Sequence, residues 1–109
     1  MIVQKMLFVG FNKRVAALDR DTGTILWQWE APQGSGFVSL LLEDNRLFVA
    51  VNGYTYCLDA TNGQQLWLNP MKGFGVGTTS LASVRGQSPH TLLGQSAAEQ
   101  AQAAAAAGS

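Results

Sequence analysis

The chain has 109 residues, seven of them basic and seven acidic, for a formal net charge of zero. That length holds one ordinary domain at most, and the charge balance excludes an electrostatic footprint for nucleic acid or an anionic membrane while favouring self-association. The single cysteine, Cys57, excludes an internal disulfide, and no Cys/His cluster has metal-ligand spacing.

The start, "MIVQKMLFVGFNKR", has neither a basic leader nor an apolar stretch long enough for a signal peptide. No apolar run approaches the roughly 18 residues of a membrane helix. As written, the chain reads as cytoplasmic without membrane insertion, and as periplasmic where a leader has been removed.

Short β-rich segments follow in chain order: "MLFVGF" from Met6, "RVAALD" from Arg14 and "TILWQWE" from Thr24. A further strand lies in "GFVSLLLEDNRLFVAV", with "EDNR" as its turn. Then "LFVAV", "YTYCLD" and "QQLWLN" repeat the first three, and "TTSLASV", Thr78 to Val84, closes a set of eight predicted strands. A shift of 40 residues superposes Leu7, Phe8 and Val9 on Leu47, Phe48 and Val49 without a gap. The same shift brings Asp19 onto Asp59, Gly23 onto Gly63 and Trp27 onto Trp67. A repeat of this period signals a solenoid or a propeller.

In "LFVAV", Leu47, Val49 and Val51 point one way and Phe48 and Ala50 the other, so both faces are apolar and both need cover. Sheets stacked radially between other sheets meet that need. From Gly86 the chain turns polar and then Ala-rich, which divides it into a repeat domain at 1–85 and a helical or disordered tail at 86–109.

"ALDRDTGTILW", Ala17 to Trp27, resembles the tryptophan-docking repeat A-x-D-x-x-T-G-x-x-x-W of pyrroloquinoline-quinone-type β-propellers, matching at Ala17, Asp19, Thr22, Gly23 and Trp27. The second copy, "CLDATNGQQLW", keeps Asp59, Gly63 and Trp67, with Cys57 in place of the alanine and Asn62 in place of the threonine. The resemblance implies that each motif closes the turn between a blade's third and fourth strands and that its tryptophan packs on the neighbouring blade. The expected fold is therefore all-β, with two four-stranded antiparallel blades in a permuted strand order.

The family usually builds eight blades in one chain, so homo-oligomerisation is expected to complete the propeller here, the alternative being that the chain is a fragment of a longer propeller whose further sequence supplies the other blades. A trimer would give six blades and a tetramer eight, joined head to tail in a closed ring. The "TTSLASV" strand is expected to complete the blade begun by "MLFVGF", in another subunit or by closing back on its own chain.

Candidate sites weigh against chemistry. Asp19, Asp21 and Glu30 have spacings faintly like an EF-hand loop, but Gly23 and Thr24 stand where a ligand and the sharp-turn glycine belong. "GFGVGTT", Gly73 to Thr79, lacks the strand-to-helix context and the lysine of a phosphate-binding loop and reads as an inter-blade connection. His90 reads as a solvated loop residue, and Cys57, inside an apolar strand, as a buried inert thiol. No residue is expected to be catalytic, to bind a cofactor or to ligate a metal. The expected function is a non-enzymatic scaffold that binds copies of itself, and further proteins, in a ring. The alternative is a quinone- or metal-dependent oxidoreductase, using pyrroloquinoline quinone or Ca2+, whose site forms only in the assembled ring.

Overall fold

A computed structural model describes residues 2–84. Two antiparallel sheets follow one another along the chain. The first holds β1 (Met6–Phe11), β2 (Arg14–Asp19) and β3 (Ile25–Glu30) in that order. The second holds β4 (Val38–Glu43), β5 (Arg46–Val51), β6 (Tyr54–Asp59) and β7 (Gln65–Asn69), also in chain order. A short 3-10 turn at Val3–Lys5 precedes them. The all-β, antiparallel expectation holds; of the two expected four-stranded blades the second has four strands and the first has three. Two strands begin one residue later than predicted, because Thr24 and Gln64 belong to the preceding turns.

The hairpin turns follow from residue chemistry. Asn12 and Lys13, between β1 and β2, have φ of 52° and 60°, and Asn52 and Gly53, between β5 and β6, have 51° and 95°. Two successive positive φ values match the right-handed twist of the flanking strands, and Asn-Gly adopts them at least cost. The strands on either side pair without a slip, from Met6 opposite Asp19 to Phe11 opposite Arg14, and from Arg46 opposite Asp59 to Val51 opposite Tyr54.

The core lies between the sheets. Leu47, Val49 and Val51 of β5 and Tyr56 and Leu58 of β6 are each no more than 1% exposed, packed with Val15, Ala31 and Val38. Burial of each large aliphatic side chain contributes about 1.5–3 kcal/mol. At Gly10 the first sheet comes close to β4: an added Cβ would stand 2.6 Å from Val38 Cγ1.

The eighth predicted strand does not form. Residues 78–84 contain a single bridge residue, Ala82, and otherwise run as irregular chain. Side chains tether the segment to β4: Ser39 Oγ donates to the Thr79 carbonyl at 2.5 Å, and Ser83 Oγ to Glu43 Oε2 at 3.1 Å. A strand needs a ladder of backbone partners, and β1 is not that partner, since it pairs only with β2. The segment thus does not close back on the first sheet of its own chain. The tail from Gly86 and His90 lie outside the described residues.

Candidate functional site

The two motif turns are built alike. Asp19 N–H donates to the Thr24 carbonyl (2.8 Å) and Gly23 N–H to the Asp19 carbonyl (2.7 Å); Asp59 with Gln64 (2.8 Å) and Gly63 with Asp59 (2.7 Å) repeat the pattern. Both glycines take the left-handed conformation, with φ of 80° at Gly23 and 81° at Gly63. Each aspartate folds over its own turn, as short acidic side chains do: Asp19 Oδ1 accepts from Asp21 N–H at 2.8 Å, and Asp59 Oδ1 from Thr61 N–H at 2.9 Å. Thr22 Oγ1 accepts from Thr24 N–H at 3.2 Å, and Asn62 Oδ1 from Gln64 N–H at 2.9 Å, which explains why either residue serves there.

In β2 and β6 the motif's first residue lies in the middle of a cross-strand row. Ala17 stands between Phe8 and Trp27, and Cys57 between Phe48 and Trp67. The flanking rings lean toward each other over this small residue, with centroids 6.1 Å apart in the first sheet and 6.2 Å in the second. A large side chain in the middle would prop them apart; alanine and cysteine fit and are buried.

Trp27 reaches across to the second sheet. Its Nε1 donates to the Ala60 carbonyl at 3.0 Å. Its six-membered ring lies over Gly63, where an added Cβ would be 2.5 Å from Cε3. Trp67 occupies the same position in the second sheet but is 46% exposed. Gly23, the counterpart of Gly63, has nothing within 4 Å of where its Cβ would be. Among the described residues one such tryptophan–glycine contact is therefore made, between Trp27 and Gly63, and Trp67 and Gly23 make none with each other's counterparts.

The sheet faces repeat this asymmetry. Leu47, Val49 and Val51 are buried against the first sheet, whereas their counterparts Leu7, Val9 and Phe11 are 53%, 41% and 72% exposed on its far side. These residues point away from the second sheet, because Phe8 and Gly10 occupy the other face of β1.

A second clasp was not singled out by sequence reasoning. Trp29 meets Tyr56 edge to face at 4.7 Å, and Trp29 Nε1 donates to Gln65 Oε1 at 3.3 Å. The Tyr56 hydroxyl donates to the Gln33 carbonyl (2.7 Å) and accepts from Gln33 N–H (3.0 Å), tying the connection between sheets to β6. The available signal was that Trp29 is two residues past Trp27 and so shares its face. The shift of 40 residues replaces Trp29 by Asn69 and Tyr56 by Ala16, so comparing the two copies hides this clasp.

The electrostatics of these groups favour structure over reactivity. Burial pushes the Cys57 thiol up from its ordinary value, outweighing the opposing pull of Arg46. Since the thiolate is the nucleophile, Cys57 is expected to resist a thiol reagent at pH 8 in the native protein and to react fully in denaturant. Fast labelling of the native chain would contradict this.

The hydroxyl of Thr61, then its N–H, hold the Asp59 carboxyl below the usual carboxylate range. A depressed native pKa adds stability above the unfolded value of about 3.9, and this is lost as pH falls through the native value. Thr61→Val should move the Asp59 titration, followed by carboxyl NMR, back up toward the ordinary range and shrink that acid-side loss.

Among the described residues no three His, Cys, Asp or Glu side chains gather where a metal ion could be held. No described helix is long and apolar enough to cross a membrane.

Successive antiparallel sheets packed face to face in one 40-residue register define a β-propeller repeat protein. The chain belongs to the PQQ_2 family, described as outer membrane protein assembly factor BamB, whose model matches residues 12–102. The BamB of Kangiella koreensis is 34% identical over 74 residues, covering 57% of this chain and 19% of that protein. The crystal structure of BamB from Moraxella catarrhalis superposes with a TM-score of 0.53 and 24% identity, covering 79% of this chain and 25% of that one, a likeness of fold. The chain thus spans about a fifth to a quarter of the length of these relatives.

Proposed function

We propose that the chain is a non-enzymatic interaction scaffold that serves outer membrane protein assembly, the role named by its family, on the periplasmic side of that membrane. It completes its propeller by joining identical chains head to tail into a trimer or tetramer. One observation carries this reading: among the described residues the contact between blades is made once, and its two halves, Trp67 and Gly23, recur on the outer faces without that contact. Patches of this kind on a soluble protein mark interaction surfaces, and a contact whose two halves differ must close into a ring or grow into a filament. The Asp19 and Asp59 carboxylates are taken up by their own turns, which fits a structural role better than a catalytic one.

Light scattering on the purified chain tests the assembly. A mass three or four times the 11.6 kDa of one chain supports it, and a folded single chain at every concentration overturns it. The scaffold reading is tested separately, by titrating the chain with a purified outer membrane protein precursor held unfolded in urea and then diluted. Saturable binding supports the reading, and its absence counts against it.

A further inference from the structure

We infer that the pocket at the Asn52–Gly53 end of the second sheet binds a carboxylate carried on an apolar body, either a free carboxylic acid or the last residue of a polypeptide. The inference stands apart from assembly, since the residues that line the site lie between Gln33 and Val76 of one chain.

The loop at residues 70–77 leaves β7 and is pinned beside the β5–β6 hairpin. Gly77 N–H donates to Asn52 Oδ1 at 2.9 Å, Met71 N–H to Asn69 Oδ1 at 2.9 Å and Phe74 N–H to the Met71 carbonyl at 3.2 Å. Met71 is held at φ 52°, a conformation uncommon for residues other than Gly, Asn and Asp. Such strain persists where the surroundings over-determine it, and ligand clamps are among its usual places. Between this loop, the hairpin and the connection at Gln33 lies a cavity of about 540 Å³, within the range of sites for small molecules. Leu68, which rests on the core, joins Met71 and the 84% exposed Val76 in its apolar wall.

The polar lining is rich in donors. Among the described residues Lys72 is the one charged group that lines the pocket. Neither its ammonium, the Tyr54 hydroxyl nor the Gln33 side-chain amide has a hydrogen-bond or ion-pair partner among the described residues. The Asn52 side chain spends its oxygen on Gly77 and keeps its N–H groups. The wider charge distribution agrees. Asp19, Asp21, Glu43, Asp44 and Asp59 lie at the opposite ends of the strands, and Glu30, at this end, faces Lys13 and Arg14 at 3.9 Å. An anion is therefore favoured here. One lysine among neutral donors suits a singly charged carboxylate better than a phosphate dianion, and the apolar wall calls for a hydrocarbon body beside it.

NMR titration of the full chain with N-acetyl-leucine tests the site, read at the Leu68 and Val76 methyl groups. Saturable shifts are expected, with a Kd on the order of a millimolar for so small a ligand. N-acetyl-leucinamide, which lacks the charge, should bind roughly tenfold more weakly, and Lys72→Gln should weaken N-acetyl-leucine by a similar factor with unchanged circular dichroism. Two further probes distinguish the sources. Octanoate binding more tightly than a short apolar peptide with a free terminus assigns a free acid, and the reverse order assigns a polypeptide end.

The absence of saturable shifts at millimolar ligand overturns the inference. So does equal binding of acid and amide, an affinity untouched by Lys72→Gln, or inorganic phosphate that displaces N-acetyl-leucine at equal concentration. None of these results depends on whether the chain assembles.

Discussion

Trp27→Ala is expected to lower the stability of the isolated chain by about 3 kcal/mol, while Trp67→Ala lowers it by about 1 kcal/mol or less. The two tryptophans have the same local setting, each beside a buried small residue and a phenylalanine about 6 Å away. They differ in what lies beyond. Trp27 lies over Gly63 and donates to Ala60, so its removal opens a cavity between the sheets and strands a buried carbonyl. Trp67 is 46% exposed and has little to lose in the free chain. Net stabilities of domains run to about 5–15 kcal/mol, so the first change takes a large share and the second a small one. Urea unfolding at low protein concentration, followed by circular dichroism, measures both. Equal losses would mean that the local aromatic row, and not the joint between sheets, gives the motif tryptophan its worth.

Gly63→Ala should cost about 2–5 kcal/mol, against about 1–2 kcal/mol for Gly23→Ala. Both glycines have φ near 80°, so an added Cβ is strained equally at either site. Only at Gly63 does that Cβ also strike a neighbour, 2.5 Å from Trp27 Cε3 and 2.7 Å from Cδ2. The difference, about 1–3 kcal/mol as for other overpacked sites, isolates the docking from the turn. Removing the ring tests the point: in a Trp27→Ala background the extra cost of Gly63→Ala should shrink toward that of Gly23→Ala. A cost that stayed the same would assign the whole effect to backbone conformation.

Much of this architecture is written in short-range chemistry. Strand alternation, Asn-Gly and Asp-x-x-Thr-Gly turns and a 40-residue register are local or strictly periodic signals, so seven of the predicted strands appear with starts shifted by at most two residues. The Ala17 and Cys57 positions were legible through the resemblance to the docking repeat, and the structure adds that each stands between a phenylalanine and a tryptophan. Trp29 and Tyr56 were not legible as partners, because their contact joins residues 27 positions apart in different sheets and is not repeated. The Thr78–Val84 segment was misread as a strand because its β-branched and alternating residues satisfy local propensity, while a strand also needs a backbone partner.

The sequence by itself determined the all-β class, the repeat, the turns and the two apolar faces of each sheet, since these follow from side-chain alternation and from which residues tolerate positive φ. Only the tertiary structure decided which of the two matching tryptophans is docked and which is open. Both copies carry the same motif, and what separates them is whether another sheet is there to meet them. Trp27 has Gly63 and Ala60 opposite, whereas among the described residues no sheet lies beyond Trp67.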